Sequence, residues 1–468
     1  MRFPNIALLA TAASAASLSI SLKRSAGLDV DSVTKRDVIS LTADNNVTGG
    51  GYYAEVEVGT PGQKVKVHLD TGSSDTWVNT VDTDLCSDGR YTGCKEFFNP
   101  NKSSTFKTVA QNAFNLSYLD QRSVRGDYFN DTIRINGKDV KQQRLGLPRN
   151  MIPGSGVMGL GLSSGVAADQ TYPAIVDHMA AEGVIGRAAF SLYLNHSSAS
   201  SGVVIFGGID TRKYIGNLAT LPLVAGSKPG SGVQAYAVRM SGVTITDSDD
   251  DKQDKKRAND LNVTVVLDSG STLTFLPDEY VEPIWKKFDV ERFQNKAFID
   301  CKHATSSDDV SLKVAFPNKT ITVPISELVV DFPQKDLLKI LGLKLDDPCI
   351  FGIQGTSFNN ITGNSFGIIG DTVLRSAYVL YDAANKQVGI AQANVASTES
   401  NIVDLEAGET TIPDVSGVDG DDANERPSPT SGAPEPSQTQ DDESAAKGNS
   451  PTMFLIYSTM FALLAITL

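Results

Sequence analysis

Two short segments of this chain carry the same pattern. His68-Leu69-Asp70-Thr71-Gly72-Ser73-Ser74 and Val266-Leu267-Asp268-Ser269-Gly270-Ser271-Thr272 each read apolar, Asp, Thr or Ser, Gly, Ser. The aspartates lie 198 positions apart. An echo follows each copy, Val157-Met158-Gly159 after the first and Ile368-Ile369-Gly370 after the second. A lone D-T-G or D-S-G triplet means little. Two copies with matching downstream sequence describe a duplicated lobe, each half offering one carboxylate on a tight glycine turn.

Two carboxylates about 3 Å apart cannot both ionise, so they share a proton. The ionised member can take a proton from a water held between them. The protonated member can donate to a substrate carbonyl. This chemistry needs no cofactor, no metal and no covalent intermediate. Gly72 and Gly270 let the two turns approach closely. Thr71 and Ser269 carry hydroxyls able to bond across to the opposite turn. Ser73 and Ser271 are placed to hydrogen-bond the outer carboxylate oxygens.

With these residues in view, the chain resembles the pepsin family of aspartic endopeptidases, and within it the fungal yapsins, from about Tyr52 to Asn394. The resemblance is carried by DTGSSDTWV from Asp70, Tyr118 with Asp120, GVMGLGL at 156–162, FSLYLN at 190–195, VVIFGGID at 203–210, VVLDSGSTLTFLP at 265–277 and FGIIGDTVLRSAYVLYD at 366–382. It implies an all-β, two-lobed fold with pseudo-twofold symmetry and a central cleft, with Asp70 and Asp268 catalytic. It also implies one disulfide per lobe, Cys86–Cys94 and Cys301–Cys349. Tyr118 becomes the tyrosine of a β-hairpin flap that closes over substrate, supported by Trp77. The family usually has glycine after this tyrosine; here Leu119 follows it, and Gln121 replaces a second glycine.

The chain has 468 residues, 40% of them hydrophobic, enough for two cores. Short Val, Ile, Thr and Phe runs bounded by Gly, Asn, Asp and Pro point to β structure. A net charge of −14, from 41 basic and 55 acidic residues, argues against nucleic acid as a partner. It suits a solvated surface and work at acidic pH. From the residues alone, four cysteines allow three pairings. A zinc site is disfavoured by the absence of C-x-x-C and by only four histidines.

Residues 1–16 read as a secretory signal, with Arg2, an apolar stretch and the small residues Ala12-Ala13-Ser14-Ala15-Ala16. Secretion permits disulfides. It also suits the N-glycosylation sequons at Asn46, Asn101, Asn115, Asn130, Asn195, Asn262, Asn318 and Asn360. The dibasic pairs Lys23-Arg24 and Lys35-Arg36 suggest a propeptide over 17–36. An N-terminal lobe is expected at 37–215 and a C-terminal lobe at 216–396. Residues 397–444, rich in Ser, Thr, Pro and acidic groups, read as a disordered stalk. Small residues Ser444-Ala445-Ala446, a polar spacer and the apolar tail Met453–Leu468 fit a GPI-attachment signal over 445–468, with Ser444 the attachment point. A tail-anchor helix is the other reading, but the tail is short for a span.

Apolar spacing predicts helices over Asp169–Glu182 and Asp278–Phe288. The charged run Asp247–Asp260 reads as a solvated loop, in which Lys255-Lys256-Arg257 offers a processing site. Gly154-Ser155-Gly156-Val157-Met158-Gly159 matches G-x-G-x-x-G but lacks the strand and helix of a dinucleotide turn, so Val157–Gly159 is expected to pack behind the first Asp loop. His68 shares a strand face with Asp70 and reads as a satisfied structural histidine.

The reading is a monomeric aspartic endopeptidase, membrane-attached through a lipid at the outer cell surface or wall. Its substrates are proteins or extended peptides, cut by preference after Lys or Arg, with Asp120 reading the basic side chain. The alternative is a catalytically silent surface glycoprotein that keeps the fold and binds partners. The intact Asp70 and Asp268 motifs weigh against it.

Overall fold

In a computed structural model, the described residues are 18–24 and 51–420. Within these the short segments 84–85, 87–93, 95, 119–121, 151–154, 200, 227–231, 247–262, 306–309, 333–334 and 358–365 are excepted. Asp120, Asn46, Asn262, Asn360, Ser444, the dibasic sites at 35–36 and 255–257, the signal segment and the apolar tail therefore lie outside the described residues. Among the described residues no helix is long and apolar enough to cross a membrane.

Strands dominate. β1 (Leu18–Arg24), β2 (Tyr52–Val58) and β3 (Gln63–Asp70) lie side by side. β3 shows why: Val65, Val67 and Leu69 are buried at alternate positions, with Lys64 and Lys66 on the other face. β2 and β3 form an antiparallel hairpin with Tyr53 opposite His68. β4 (Lys107–Ser117), β5 (Ser123–Ile135) and β6 (Lys138–Pro148) follow as long antiparallel neighbours. β7 (Gly156–Gly159) then runs parallel to β3 and sets Gly159 beside Asp70.

The second half repeats this local plan. Strand Val263–Leu267, which leads into Asp268, runs parallel to Phe366–Ile369, with Leu267 opposite Ile369. Each Asp turn is thus backed by its own downstream echo. The G-x-G-x-x-G match resolves into β7 and is not a dinucleotide turn.

The halves join in one sheet. Strand Ala377–Asp382 of the second half pairs with β8 (Ala189–Tyr193), which pairs with β9 (Ser201–Phe206). Strand Tyr214–Pro222 pairs with Gln387–Ala393, so the expected boundary at 215/216 falls inside a strand. β1, which falls in the expected propeptide, fills the place between β9 and β2, with Lys23 and Arg24 opposite Tyr53 and Tyr52.

Two expectations need correction. Helix formation near 169–182 is confined to Ile175–Ala181. Pro173 disfavours helical geometry in the residue before it, and the helix starts after Ala174. The second helix, Asp278–Lys287, is as expected to within a residue. The disordered stalk does not start at 397. Ile402–Asp404 pairs with Gly208–Asp210, Leu405 is fully buried, and Val418 bridges to Ile215. Ile412 and Val415 pack on the cluster of Tyr193, Ile209, Tyr214 and Tyr378. Arg187, buried below this segment, donates to the Glu406 carbonyl at 3.1 Å, the Thr411 carbonyl at 3.2 Å and the Glu409 carboxylate at 2.7 Å, and reaches Asp382 at 3.3 Å. The folded body therefore extends to about residue 419.

Candidate active site

Asp70 ends β3 and Asp268 follows the strand Val263–Leu267, at the meeting of the two halves, and both are fully buried. Each turn closes on its own carboxylate. Gly72 N–H donates to Asp70 Oδ1 at 2.8 Å, and Gly270 N–H donates to Asp268 Oδ1 at 2.8 Å. The turns also hold each other. Thr71 N–H donates to Ser269 Oγ at 3.2 Å and Ser269 N–H to Thr71 Oγ1 at 2.9 Å. The two hydroxyls then donate onward, Thr71 to the Leu267 carbonyl at 2.8 Å and Ser269 to the Leu69 carbonyl at 2.9 Å. Glycine is required between them. A Cβ on Gly72 would stand 2.4 Å from Asp268 Oδ1, and one on Gly270 would stand 2.3 Å from Asp70 Oδ1.

The outer oxygens are treated differently. Ser73 Oγ donates a short bond to Asp70 Oδ2. Ser271 does not do the same for Asp268. Its hydroxyl turns to the Leu273 carbonyl at 2.9 Å, and Asp268 Oδ2 is buried with no protein partner among the described residues. The expected symmetry of the two serines therefore fails, because Leu273 offers the second one a backbone acceptor two residues away. Burial pushes both carboxyls up, Asp268 to about 6. Asp70 is raised well above its usual range, first by burial and then by the Asp268 charge, against the Ser73 and Gly72 bonds. Carboxylates this close titrate as a pair, and the proton between them belongs to both.

Tyr118 follows β4, is buried, and accepts a 2.7 Å hydrogen bond from Trp77 Nε1. Burial, then the Asp70 charge, pushes its phenol up, which sets it near the first aspartate. Its N–H donates to the Arg122 carbonyl at 2.9 Å, closing the hairpin tip. Asp120 lies outside the described residues.

His68 is buried and stacks on Tyr53 with ring centroids 4.8 Å apart. Neither ring nitrogen has a hydrogen-bond partner among the described residues. It is thus packed but not satisfied by hydrogen bonds. Burial, with Arg122 adding to it, pushes its pKa down to about 3, so the ring stays neutral over most of the acid range.

The remaining expected positions are spread out. Disulfides join Cys86 to Cys94 and Cys301 to Cys349. Of the sequons, Asn101, Asn115 and Asn318 are exposed, and Asn130 and Asn195 are half-buried. One functional candidate escaped the sequence reading. Asp75, inside the first motif, is fully buried and hydrogen-bonded to two tyrosines. The only sequence signal was an acidic residue between Ser74 and Thr76, in a run that is otherwise apolar or hydroxylic.

Two buried carboxylates on mutually bonded turns, in a chain built of two matching halves, define a site of the aspartic-peptidase class. Comparison with known proteins agrees. The model of the eukaryotic aspartyl protease family matches residues 51–393, so the chain belongs to that family and is an aspartic endopeptidase acting on peptide or protein substrates. It is 36% identical to the "Probable aspartic-type endopeptidase opsB" of Aspergillus fumigatus, covering 82% of this chain and 77% of that protein. It is 35% identical to an acid protease of Saccharomycopsis fibuligera, over 73% of this chain and 80% of that one. Secreted aspartic protease 5 of Candida albicans is 31% identical, over 81% of this chain and 83% of its own.

Proposed function

We propose that Asp70 and Asp268 together activate the water that attacks the scissile carbonyl, in an enzyme that works in the secretory pathway or outside the cell. The observation that carries this reading is the reciprocal bonding of the Thr71 and Ser269 turns, which holds both carboxyls in one buried site. With one proton between them, one carboxylate accepts a proton from water while the other donates to the carbonyl oxygen. An extended substrate lies across both halves, bonded mainly through its backbone. Tyr118, backed by Trp77, closes over it and excludes water.

The finer reading is a yapsin-like enzyme that prefers Lys or Arg on the N-terminal side of the cut. Support comes from the sequence: Asp120 stands two residues after Tyr118, where an ionised carboxylate would attract a basic side chain. Arg122 and Arg125 on the same hairpin oppose it, and the preference fades below about pH 4 as the carboxylate protonates. The relative named a secreted aspartic protease, the signal-like start and the sequons support export. The Ser444-Ala445-Ala446 triplet with the apolar tail supports a GPI anchor on a chain that acts as a monomer.

The test is cleavage of a mixed peptide library at pH 4, with and without pepstatin, by the wild type and by Asp120→Ala. Pepstatin-sensitive cleavage after basic residues, lost in favour of apolar ones in the variant, supports the whole reading. An unchanged Lys-to-Leu ratio removes Asp120 from it. Absence of pepstatin-sensitive cleavage removes the water-activating role of the pair.

A further inference from the structure

Asp75 has no part in the chemistry described above, yet it is among the most enclosed carboxyls in the molecule. Its Oδ1 accepts from Tyr128 Oη at 2.8 Å and from Tyr172 Oη at 2.6 Å. Its Oδ2 accepts from Ala167 N–H at 2.7 Å. Three donors from two parts of the first half thus meet on one side chain. Tyr128 belongs to β5. Ala167 and Tyr172 belong to the loop between β7 and the helix Ile175–Ala181. Asp75 itself leads from the Asp70 turn to Trp77.

The surroundings are apolar and specific. Trp77, Phe114, Leu116, Tyr118, Val124 and Tyr128 form one cluster, closed by Val157, Val166 and Tyr172. Phe114 and Leu116 lie on β4 and lead to Tyr118, while Val124 and Tyr128 lie on the returning strand β5. Tyr128 packs edge-on against Phe114 at 5.2 Å and against Tyr172 at 5.7 Å. Two residues beyond Asp75, Trp77 exchanges backbone hydrogen bonds with Val157, both at 2.9 Å, and gives its indole N–H to Tyr118. The same short segment therefore holds the hairpin twice, at its tyrosine tip through Trp77 and along β5 through Asp75.

We propose that Asp75 is a positioning residue that fixes the β4–β5 hairpin, and with it Tyr118, over the two aspartates by holding the Tyr128 and Tyr172 hydroxyls on one buried carboxylate. A buried phenol that loses its acceptor must move toward another, because an unpaired buried donor is costly. Tyr128 can move only by carrying β5, and β5 carries the hairpin. Asparagine keeps one oxygen for the two phenols, but its amide nitrogen faces the Ala167 N–H. Alanine removes all three acceptor bonds. The order of effect is therefore alanine above asparagine.

The proposal rests on the hydrolytic reading for its kinetic part, and an optical readout makes it separable. The chain has two tryptophans, Trp77 in the cluster and Trp285 in the other half, so a Trp285→Phe background isolates Trp77 emission. Asp75→Asn in this background is expected to raise KM about tenfold for a fluorogenic peptide, with kcat within threefold, and to shift Trp77 emission to the red with easier acrylamide quenching. Asp75→Ala should lose about a hundredfold in kcat/KM. Tyr128→Phe with Tyr172→Phe leaves Asp75 in place and should reproduce the emission shift. It tests the proposal even where Asp75→Ala does not fold. A lower melting temperature with unchanged KM and unchanged Trp77 emission would mean that Asp75 only stabilises the fold, and would overturn the proposal. If the background enzyme itself cuts no peptide, the hydrolytic reading fails, while the emission shift still decides whether Asp75 holds the hairpin.

Discussion

Thr71 and Ser269 each place a backbone N–H on the other's hydroxyl oxygen, at 3.2 and 2.9 Å, across a separation of 198 residues. Each hydroxyl then donates to the strand that leads into the opposite turn. The two halves are joined at the point where their carboxyls must meet, by bonds that need a hydroxyl on both sides. Alanine at either position takes the hydroxyl partner from a buried N–H and from a buried carbonyl; the Leu267 carbonyl then keeps the long 3.5 Å bond from the Tyr381 hydroxyl.

Thr71→Ala or Ser269→Ala should therefore cost about 1–3 kcal/mol of stability. Activity should fall further than stability, because the carboxyl spacing depends on the same bonds. Each change removes a different pair of bonds, so any shortfall of the double variant from the sum of the singles measures coupling through the spacing of the two turns. Urea unfolding and peptide hydrolysis measure both. Fully additive losses would show that the bonds act independently.

Much of this site could be read from the chain because its parts are local. Asp, hydroxyl, Gly and Ser in one run specify the turn, and the repeat specifies its partner. What could not be read depends on atoms brought in from elsewhere. Ser271 matches Ser73 in sequence, yet its hydroxyl donates to the Leu273 carbonyl. Asp75 became visible only when β5 and the loop after β7 brought Tyr128 and Tyr172 to it. Composition hid the folded segment after 397, where Leu405, Ile412, Val415 and Val418 stand singly among polar residues and have no periodicity to mark them.

The dyad predicts an unusual pH dependence of stability. Both carboxyls have folded-state pKa values above the ordinary carboxylate value, Asp268 at about 6 against 3.8. A raised pKa means the fold binds protons more tightly than the unfolded chain. That stability is fully present below the unfolded value and is lost as pH rises through about 6 and beyond. Asp268→Asn should lose peptide hydrolysis and, relative to wild type, gain in melting temperature between pH 4 and pH 7.5. A difference that stays constant over this range would show that the carboxyls are not shifted.

Glycans should follow exposure. Asn101, Asn115 and Asn318 are exposed, and Asn318 sits at a turn with φ of 64°. Asn195 is half-buried, and its amide oxygen accepts from His196 N–H at 2.9 Å, Ala396 N–H at 2.9 Å and Tyr193 Oη at 3.1 Å. Asn130 has its amide oxygen buried. Mass spectrometry after enzymatic deglycosylation in heavy-oxygen water should mark the first three and leave Asn130 and Asn195 unmarked. Full occupancy at Asn195 would mean that its bonds form only after the glycan is attached, or not at all.

The segment after 397 should be needed for the fold, although it lies beyond the stretch that the family model matches. Leu405 is fully buried, and burial of such a side chain is worth about 1.5–3 kcal/mol. Arg187 is the larger matter. Its guanidinium is buried, and removing residues 397–420 takes away the Glu406 and Thr411 carbonyls and the Glu409 carboxylate. Asp382 remains, at 3.3 Å, with part of the donor array unanswered. The buried pair with Asp382 survives; what is lost is hydrogen bonds to a charged group, each worth about 1.5–3 kcal/mol, beside β8 and the strand Ala377–Asp382, where the halves share their sheet. A chain ending at 396 should accumulate poorly or melt many degrees lower than one ending at 420, while the latter should melt like the full-length protein. Arg187→Met within the full chain leaves Leu405 in place but also strips the buried Asp382 of its cation, so it should melt well below the chain ending at 420. Equal melting temperatures for the chains ending at 396 and 420 would show that the segment rests on the body without supporting it.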